Sequence, residues 1–228
     1  MILRIAAATI ALLAAQGLMA QEGATPIDKD KLSYAIGYQF GTDLKFRNVD
    51  VDLEKVIQAL RDAQSEAEPQ VPQAEMVALL KQLEEEFRAA QLEKFKELAE
   101  ENKEKATAFL DENKSKKNIV VLPSGVQYRI IEDGDGSRPT MESEVIVHYR
   151  SSTMNGLEYD SSFARGEPVS FKVSQVLKGW QEILPLMKVG AKWQIFVPPE
   201  MGYGLRGQPP VGPNEVLVFD INLVEIKS

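Results

Sequence analysis

Residues Gln73 to Asn113 pass without a glycine or a proline, and this run limits what the chain can become. Met76, Leu80, Leu83, Phe87, Phe95 and Leu98 recur at three-or-four spacing among glutamates and lysines, which is the period of a helix. About 40 residues rising ~1.5 Å each make a rod of about 60 Å. A small domain cannot bury such a rod along its whole length. Two readings remain open: a solvated spacer held by ion pairs one turn apart, or one arm of a dimer.

What precedes the rod is also helical in period. Leu32, Ala35, Ile36 and Phe40 mark a first amphipathic helix, and Leu53, Val56, Ile57 and Leu60 a second, with Asp52 as its expected N-cap. Gly37 and Gly41 lie on one face of the first helix and would let another helix approach closely. Pro69 and Pro72 bracket the break before the rod.

After Lys116-Lys117-Asn118 the apolar period changes to two. VLPSGVQYRII, EVIVHYRSS, LEYDSS, PVSFKV, AKWQIFVP and EVLVFDINLVEI read as strands, and one helix fits between them, in KGWQEILPLM. Asn155-Gly156 suits a tight hairpin. Trp193, Ile195 and Val197 share one face, as do Leu217, Phe219, Ile221 and Leu223, so these are the expected core stripes. The predicted fold is α+β: an antiparallel sheet of five or six strands wrapped on one short helix, preceded by an all-α region with a long connecting helix. The expected divisions are a leader over 1–20, a helical dimerisation region over 21–72, the connecting helix over 73–117 and the sheet domain over 118–228.

The leader is read from MILRIAAATIALLAAQGLMA: an early Arg4, an apolar stretch and small residues near Ala20 outline a secretory signal peptide. Its apolar run falls short of the ~20 residues that span a bilayer, so no stable membrane anchor is expected. An exported protein of a bacterial periplasm is the expectation, with association at the outer membrane left open. The net charge of -8 argues against nucleic acid as a partner. The chain has no cysteine, which removes disulfides, thiolate nucleophiles and cysteine-based zinc sites.

Reactive groups in the sheet domain are sparse. Gly202, Gly204 and Gly207 spell G-x-G-x-x-G, but Pro209, Pro210 and Pro213 follow where a nucleotide site needs a helix N-terminus. That stretch is therefore a loop. His148, the only histidine, sits on a strand facing away from Tyr149 and is expected to be structural. Glu158 and Asp160 are two apart on a strand, which would place both on one face without the cleft that paired-carboxylate chemistry requires. What stands out is a set of rings near turns, Tyr149, Tyr159, Phe163, Trp180, Tyr203 and Phe219, with one carboxylate: the makings of an apolar binding cup.

VIVHY, LEYDSS, VLKGW, MGYGLRG and LVFDINL, in that order, resemble the FKBP-type peptidyl-prolyl cis-trans isomerases from Val121 to the C-terminus. SYAIGYQFGTDLK and the charged rod are similar to the dimerising region of the exported macrophage infectivity potentiator subgroup. The resemblance implies Trp180 as the floor of a proline pocket, with Tyr149, Tyr159, Val169, Val176, Leu177, Val211 and Phe219 as its walls. It further implies that Asp160 orients polar groups at the rim, that Tyr203 presents a hydroxyl, and that the Leu177 amide binds a substrate carbonyl. No cofactor or metal is implied. Implied partners are unfolded or partly folded proteins with Xaa-Pro bonds, a second copy of the chain, and macrolides such as rapamycin or tacrolimus. The sequence departs from the family's commonest residues at Tyr159 (usually phenylalanine), Val169 (often aromatic), Gln208 (histidine in some members) and Ser151 (usually glycine). Val169 would widen the cup and weaken macrocycle binding. Two further functions stay open beside isomerisation: a holdase that grips unfolded chains between the helical arms of a dimer, and a binding module that has lost turnover.

Overall fold

The computed structural model describes residues 27–227, and the expected signal peptide lies outside them. The chain forms two compact units, divided between Val77 and Ala78. The first contains α1 (Lys29–Phe46) and α2 (Leu53–Gln64). Both start at an aspartate whose carboxylate accepts from two free amides of the first turn, Asp28 for α1 and the expected Asp52 for α2. Neither helix buries a residue within the single chain. Tyr34, Ile36, Tyr38 and Phe40 all lie open on α1, and a Cβ on Gly37 or Gly41 would meet nothing within 4 Å.

The glycine-free run is one helix, α3 (Gln73–Asn113). Ion pairs one turn apart do lie along it, among them Glu84–Arg88 and Glu101–Lys105. It is not solvated throughout, however. Ala99, Asn102, Ala106 and Asn113 are buried, because this uncharged stripe packs on the sheet domain. At its end the Asn113 amide donates to Gln127 Oε1 (2.9 Å), and Gln127 Nε2 donates back to the Leu110 carbonyl (2.9 Å).

The sheet has seven strands rather than five or six. They are β1 (Val120–Val121), β2 (Gln127–Glu132), β3 (Glu144–Thr153), β4 (Glu158–Ser161), β5 (Val169–Lys172), β6 (Lys192–Val197) and β7 (Leu217–Lys227). The extra strand arises within VLPSGVQYRII, where Pro123 and a left-handed Gly125 (φ 85°) turn the chain back on itself. All pairings are antiparallel, in the order β1-β2-β6-β7-β3-β4, and β5 pairs with the other half of the β3 edge. Two short helices follow strands: α4 (Ser162–Arg165), one more than expected, and α5 (Lys178–Ile183). At Asn155-Gly156 only Gly156 has positive φ (82°), so the hairpin closes through a longer loop, with Gly156 and Leu157 bonded back to Thr153.

The core lies between α5 and one face of the sheet. The two expected stripes are in it: Trp193, Ile195 and Val197 from β6, and Leu217, Phe219, Ile221 and Leu223 from β7, all at most 4% exposed. The approach of α5 to β6 requires glycine at position 179, since a Cβ there would sit 2.6 Å from Val197 Cγ1. His148 is structural, stacked on Phe163 (centroids 4.8 Å apart), with Nδ1 3.1 Å from Ser162 Oγ.

Candidate active site

The first turn of α5 carries Trp180 into the mouth of the core, where 4% of it remains exposed. Three rings cross the indole nearly at right angles, with centroid separations of 5.5 Å for Tyr149 from β3, 5.3 Å for Phe219 from β7 and 5.9 Å for Phe171 from β5. Such near-perpendicular crossings pair the positive edge of one ring with the electron-rich face of the other. Val211 is buried in the same core cluster, and Tyr159, Val169, Val176, Leu177 and Tyr203 pack half-buried against it. Nine of the ten expected site residues thus belong to this core cluster or pack against it, and the tenth, Asp160, bonds the Tyr149 hydroxyl. The indole Nε1 is buried and has no hydrogen-bond partner among the described residues.

Asp160 reaches the cup through a bulge. Ser151 pairs with Asp160 and Ser152 with Glu158, so Tyr159 is an inserted residue and the alternation slips by one. This corrects the expectation that Glu158 and Asp160 share a face. Glu158 lines a hollow with Arg150, Ser161 and Phe163, whereas Asp160 turns to the Tyr149 hydroxyl. That hollow, about 580 Å³, mixes Arg129, Arg150 and Lys192 with Glu158 and Asp220 and contains none of the rings that meet Trp180.

The Tyr149 hydroxyl donates to Asp160 Oδ2 (2.5 Å) and accepts from Arg165 Nη2 (3.0 Å), while Arg165 also pairs with Asp160 Oδ1. Partial burial works against the charge on Asp160, but the Tyr149 and Arg165 bonds outweigh it and hold its carboxyl below the usual range. Burial, followed by the hydrogen bond to Asp160, pushes the Tyr149 hydroxyl up. The Tyr203 hydroxyl is raised by burial and by the charge of Asp160. At neutral pH the site thus holds one carboxylate and protonated phenols.

On the opposite rim, Gln181 Nε2 donates to the Val176 carbonyl (2.8 Å) and fastens the segment before α5. The Leu177 amide that follows donates to no protein acceptor among the described residues. The glycine-rich stretch is a loop. Tight turns at Pro199–Met201 and Gly204–Arg206 are followed by a pair of bonds between Gln208 and Val211, and no α-helix follows Gly207. Gly207 (φ 64°) is required there, because a Cβ would lie 2.7 Å from the Gly212 backbone. Phe171, Arg165 and Gln181 escaped the sequence reading. Phe171 alternates with Val169 in PVSFKV and was visible in principle, whereas Arg165 and Gln181 become neighbours of the site only through the bulge and the turn.

Two family departures meet in the structure. The buried Tyr159 hydroxyl finds no full hydrogen-bond partner, and the Ser151 hydroxyl is the group that most opposes the effect of burial on it. Among the described residues no group of three or more His, Asp or Glu is placed to hold a metal. None of the described helices is long and apolar enough to cross a membrane.

Comparison with known proteins agrees with this geometry. Residues 29–130 match the domain amino terminal to FKBP-type peptidyl-prolyl isomerase, and residues 136–224 match the FKBP-type peptidyl-prolyl cis-trans isomerase domain itself. The chain is 40% identical over 229 residues to the outer membrane protein MIP of Legionella longbeachae, covering 99% of this chain and 98% of that one. It is 41% identical over 208 residues to the peptidyl-prolyl cis-trans isomerase Mip of Coxiella burnetii, covering 90% of each. The crystal structure of FkpA from Escherichia coli superposes with a TM-score of 0.70 at 29% identity, covering 90% of this chain and 99% of that one. The chain belongs to the FKBP-type peptidyl-prolyl cis-trans isomerases.

Proposed function

We propose that the protein speeds the folding of exported proteins by binding their Xaa-Pro segments in the Trp180 cup and letting the prolyl bond turn there. The observation that carries this reading is the indole of Trp180 with the rings of Tyr149, Phe171 and Phe219 set nearly perpendicular around it. The reaction makes and breaks no covalent bond. Its barrier of ~18–20 kcal/mol is the resonance lost as the amide twists. A planar amide is more dipolar and better hydrated than a twisted one, so a dry cup removes more solvation from the ground state. The Leu177 amide and the Tyr203 hydroxyl then hold carbonyls of the twisted form, which favours the transition state over the substrate. Asp160 acts as a fixed charge: it holds the Tyr149 ring through the hydroxyl bond and biases the dipoles at the rim. No step needs a proton to leave a side chain.

The remaining assignments follow the same reading. Residues 21–72 form the dimerisation region, 73–117 the connecting helix and 118–228 the isomerase domain, with 1–20 removed on export to the periplasm. Rapamycin and tacrolimus enter the same cup, more weakly because Val169 stands where the family often has an aromatic ring. The apolar side chains of Tyr34, Ile36, Tyr38 and Phe40, open on α1 of the single chain, favour the dimer, and a holdase activity would grip unfolded chains between its helical arms. It is separated from turnover by Trp180→Ala, which would abolish isomerisation and leave suppression of aggregation intact.

Binding is tested by titrating a prolyl tetrapeptide into isotopically labelled protein. The indole resonance of Trp180 and the methyls of Val176, Leu177 and Val211 should shift together and saturate. The indole of Trp193, stacked on Tyr128 at 4.5 Å, should stay in place. Shifts centred anywhere else would refute the assignment of the cup.

A further inference from the structure

We infer that Asn102 and Asn214 clamp the loop from Tyr203 to Asn214 onto α3, so that the long helix positions the loop's side chains over the cup. Two side-chain amides make the clamp. Asn102 Nδ2 on the helix donates to the Pro213 carbonyl (2.8 Å), and Asn214 Nδ2 on the loop donates to the Ala99 carbonyl (3.0 Å). Asn102 is 7% exposed, so its bond is shielded from competing water. The loop is closed on itself by the Asn214 amide bonding the Gly204 carbonyl (2.9 Å) and by the Gln208–Val211 pair. It can therefore move as a body, and the helix is what it is tied to at this end. Tyr203 leads the loop and Val211 lies inside it, and both pack on the cluster that holds Trp180.

A helix would need no buried asparagine merely to pack on a sheet, since an unsatisfied buried amide costs more than an alanine. The same helix has a second buried asparagine, Asn113, whose bond goes to Gln127 on β2 and not to the loop. It supplies an internal control with the same chemistry. Asn102 and Asn214 are positioning residues: they touch no substrate and act through Tyr203 and Val211. The assignment rests on the proposed role of those two residues in the cup.

The test uses the full chain with Asn102→Ala, Asn214→Gly and Asn113→Ala. Asn214 has a left-handed backbone (φ 53°) that glycine adopts freely, so Asn214→Gly removes the amide without strain and serves where Asn102→Ala does not fold. Amide hydrogen exchange at Gln208 and Val211 should quicken about tenfold in the first two variants, the loss of one hydrogen bond's worth of protection. Their kcat/KM on a prolyl tetrapeptide should fall about three- to thirtyfold, because small displacements of aligned groups are costly. Asn113→Ala should lower the melting temperature comparably and change neither reading. Unchanged loop exchange overturns the clamp whatever happens to catalysis. A looser loop with unchanged kcat/KM, or an equal loss in Asn113→Ala, overturns the positioning role. A looser loop in the variants, where the wild-type protein itself does not catalyse, leaves the clamp standing and refutes the function.

Discussion

Replacing Asp160 by asparagine separates a fixed charge from a proton-transfer group. The substituted side chain would keep the size of the original and one acceptor oxygen. What is lost is the charge in the 2.5 Å bond from the Tyr149 hydroxyl and in the pair with Arg165. Arg165 is exposed, and a pair of that kind contributes little after solvent screening. The Tyr149 bond is half-buried, and turning a charge-assisted bond into a neutral one costs about 1–2 kcal/mol. If all of that falls on the transition state, kcat/KM drops about five- to thirtyfold. A general acid or base would lose about a hundred- to ten-thousandfold. The assay is cis-trans exchange on a prolyl peptide, with folding checked by urea denaturation. A folded Asp160→Asn variant that loses more than about a hundredfold would refute the account, because Asp160 would then be moving a proton. The pH dependence carries the same sign. The Asp160 carboxyl is held below its ordinary value, so its contribution to stability is complete above about pH 4 and disappears as the pH falls through the depressed value. The Tyr149 and Tyr203 hydroxyls are raised, so kcat/KM should be flat from about pH 5 to 9.

Tyr159→Phe removes a buried hydroxyl that has no full partner, and should raise stability by up to about 1 kcal/mol in thermal unfolding; a loss of that size would show that Ser151 satisfies it. Gly179→Ala should cost about 1–3 kcal/mol in urea denaturation, because the added Cβ meets Val197 at 2.6 Å and must push α5 and Trp180 off the sheet. The mature protein should sediment as a dimer at micromolar concentration, with Tyr38→Glu on α1 shifting it to monomer. A monomer for both would remove the dimerisation region.

Much of the fold could be read from periodicity. The change from a three-or-four to a two-residue repeat near Lys117 marks where α3 gives way to the sheet, and the stripes at Trp193–Val197 and Leu217–Leu223 are the observed core. Asp52 was legible as a cap because only its local chain is involved. What was not legible depends on small backbone events or on distant partners. A single inserted residue at Tyr159 sends Glu158 and Asp160 to different faces, and strand alternation alone cannot show such a slip. The stripe Ala99, Asn102, Ala106 and Asn113 lacks large apolar side chains, so a search for hydrophobic period passes over it even though it is the face that docks. Within the site, the rings other than Phe171 were visible as residue types, although Phe163 stacks on His148 at the other hollow, whereas Arg165 and Gln181 act through contacts that exist only after β4 and α5 have formed.

The central claim is that the cup around Trp180 turns prolyl bonds without covalent or acid-base chemistry. Exchange spectroscopy on a short Xaa-Pro peptide, with the mature protein and with Trp180→Ala, tests it most directly. Catalysed cis-trans exchange that collapses in a folded Trp180→Ala variant is the predicted result. Exchange no faster than in buffer from the folded wild-type protein, or equally fast exchange in the variant, would contradict it.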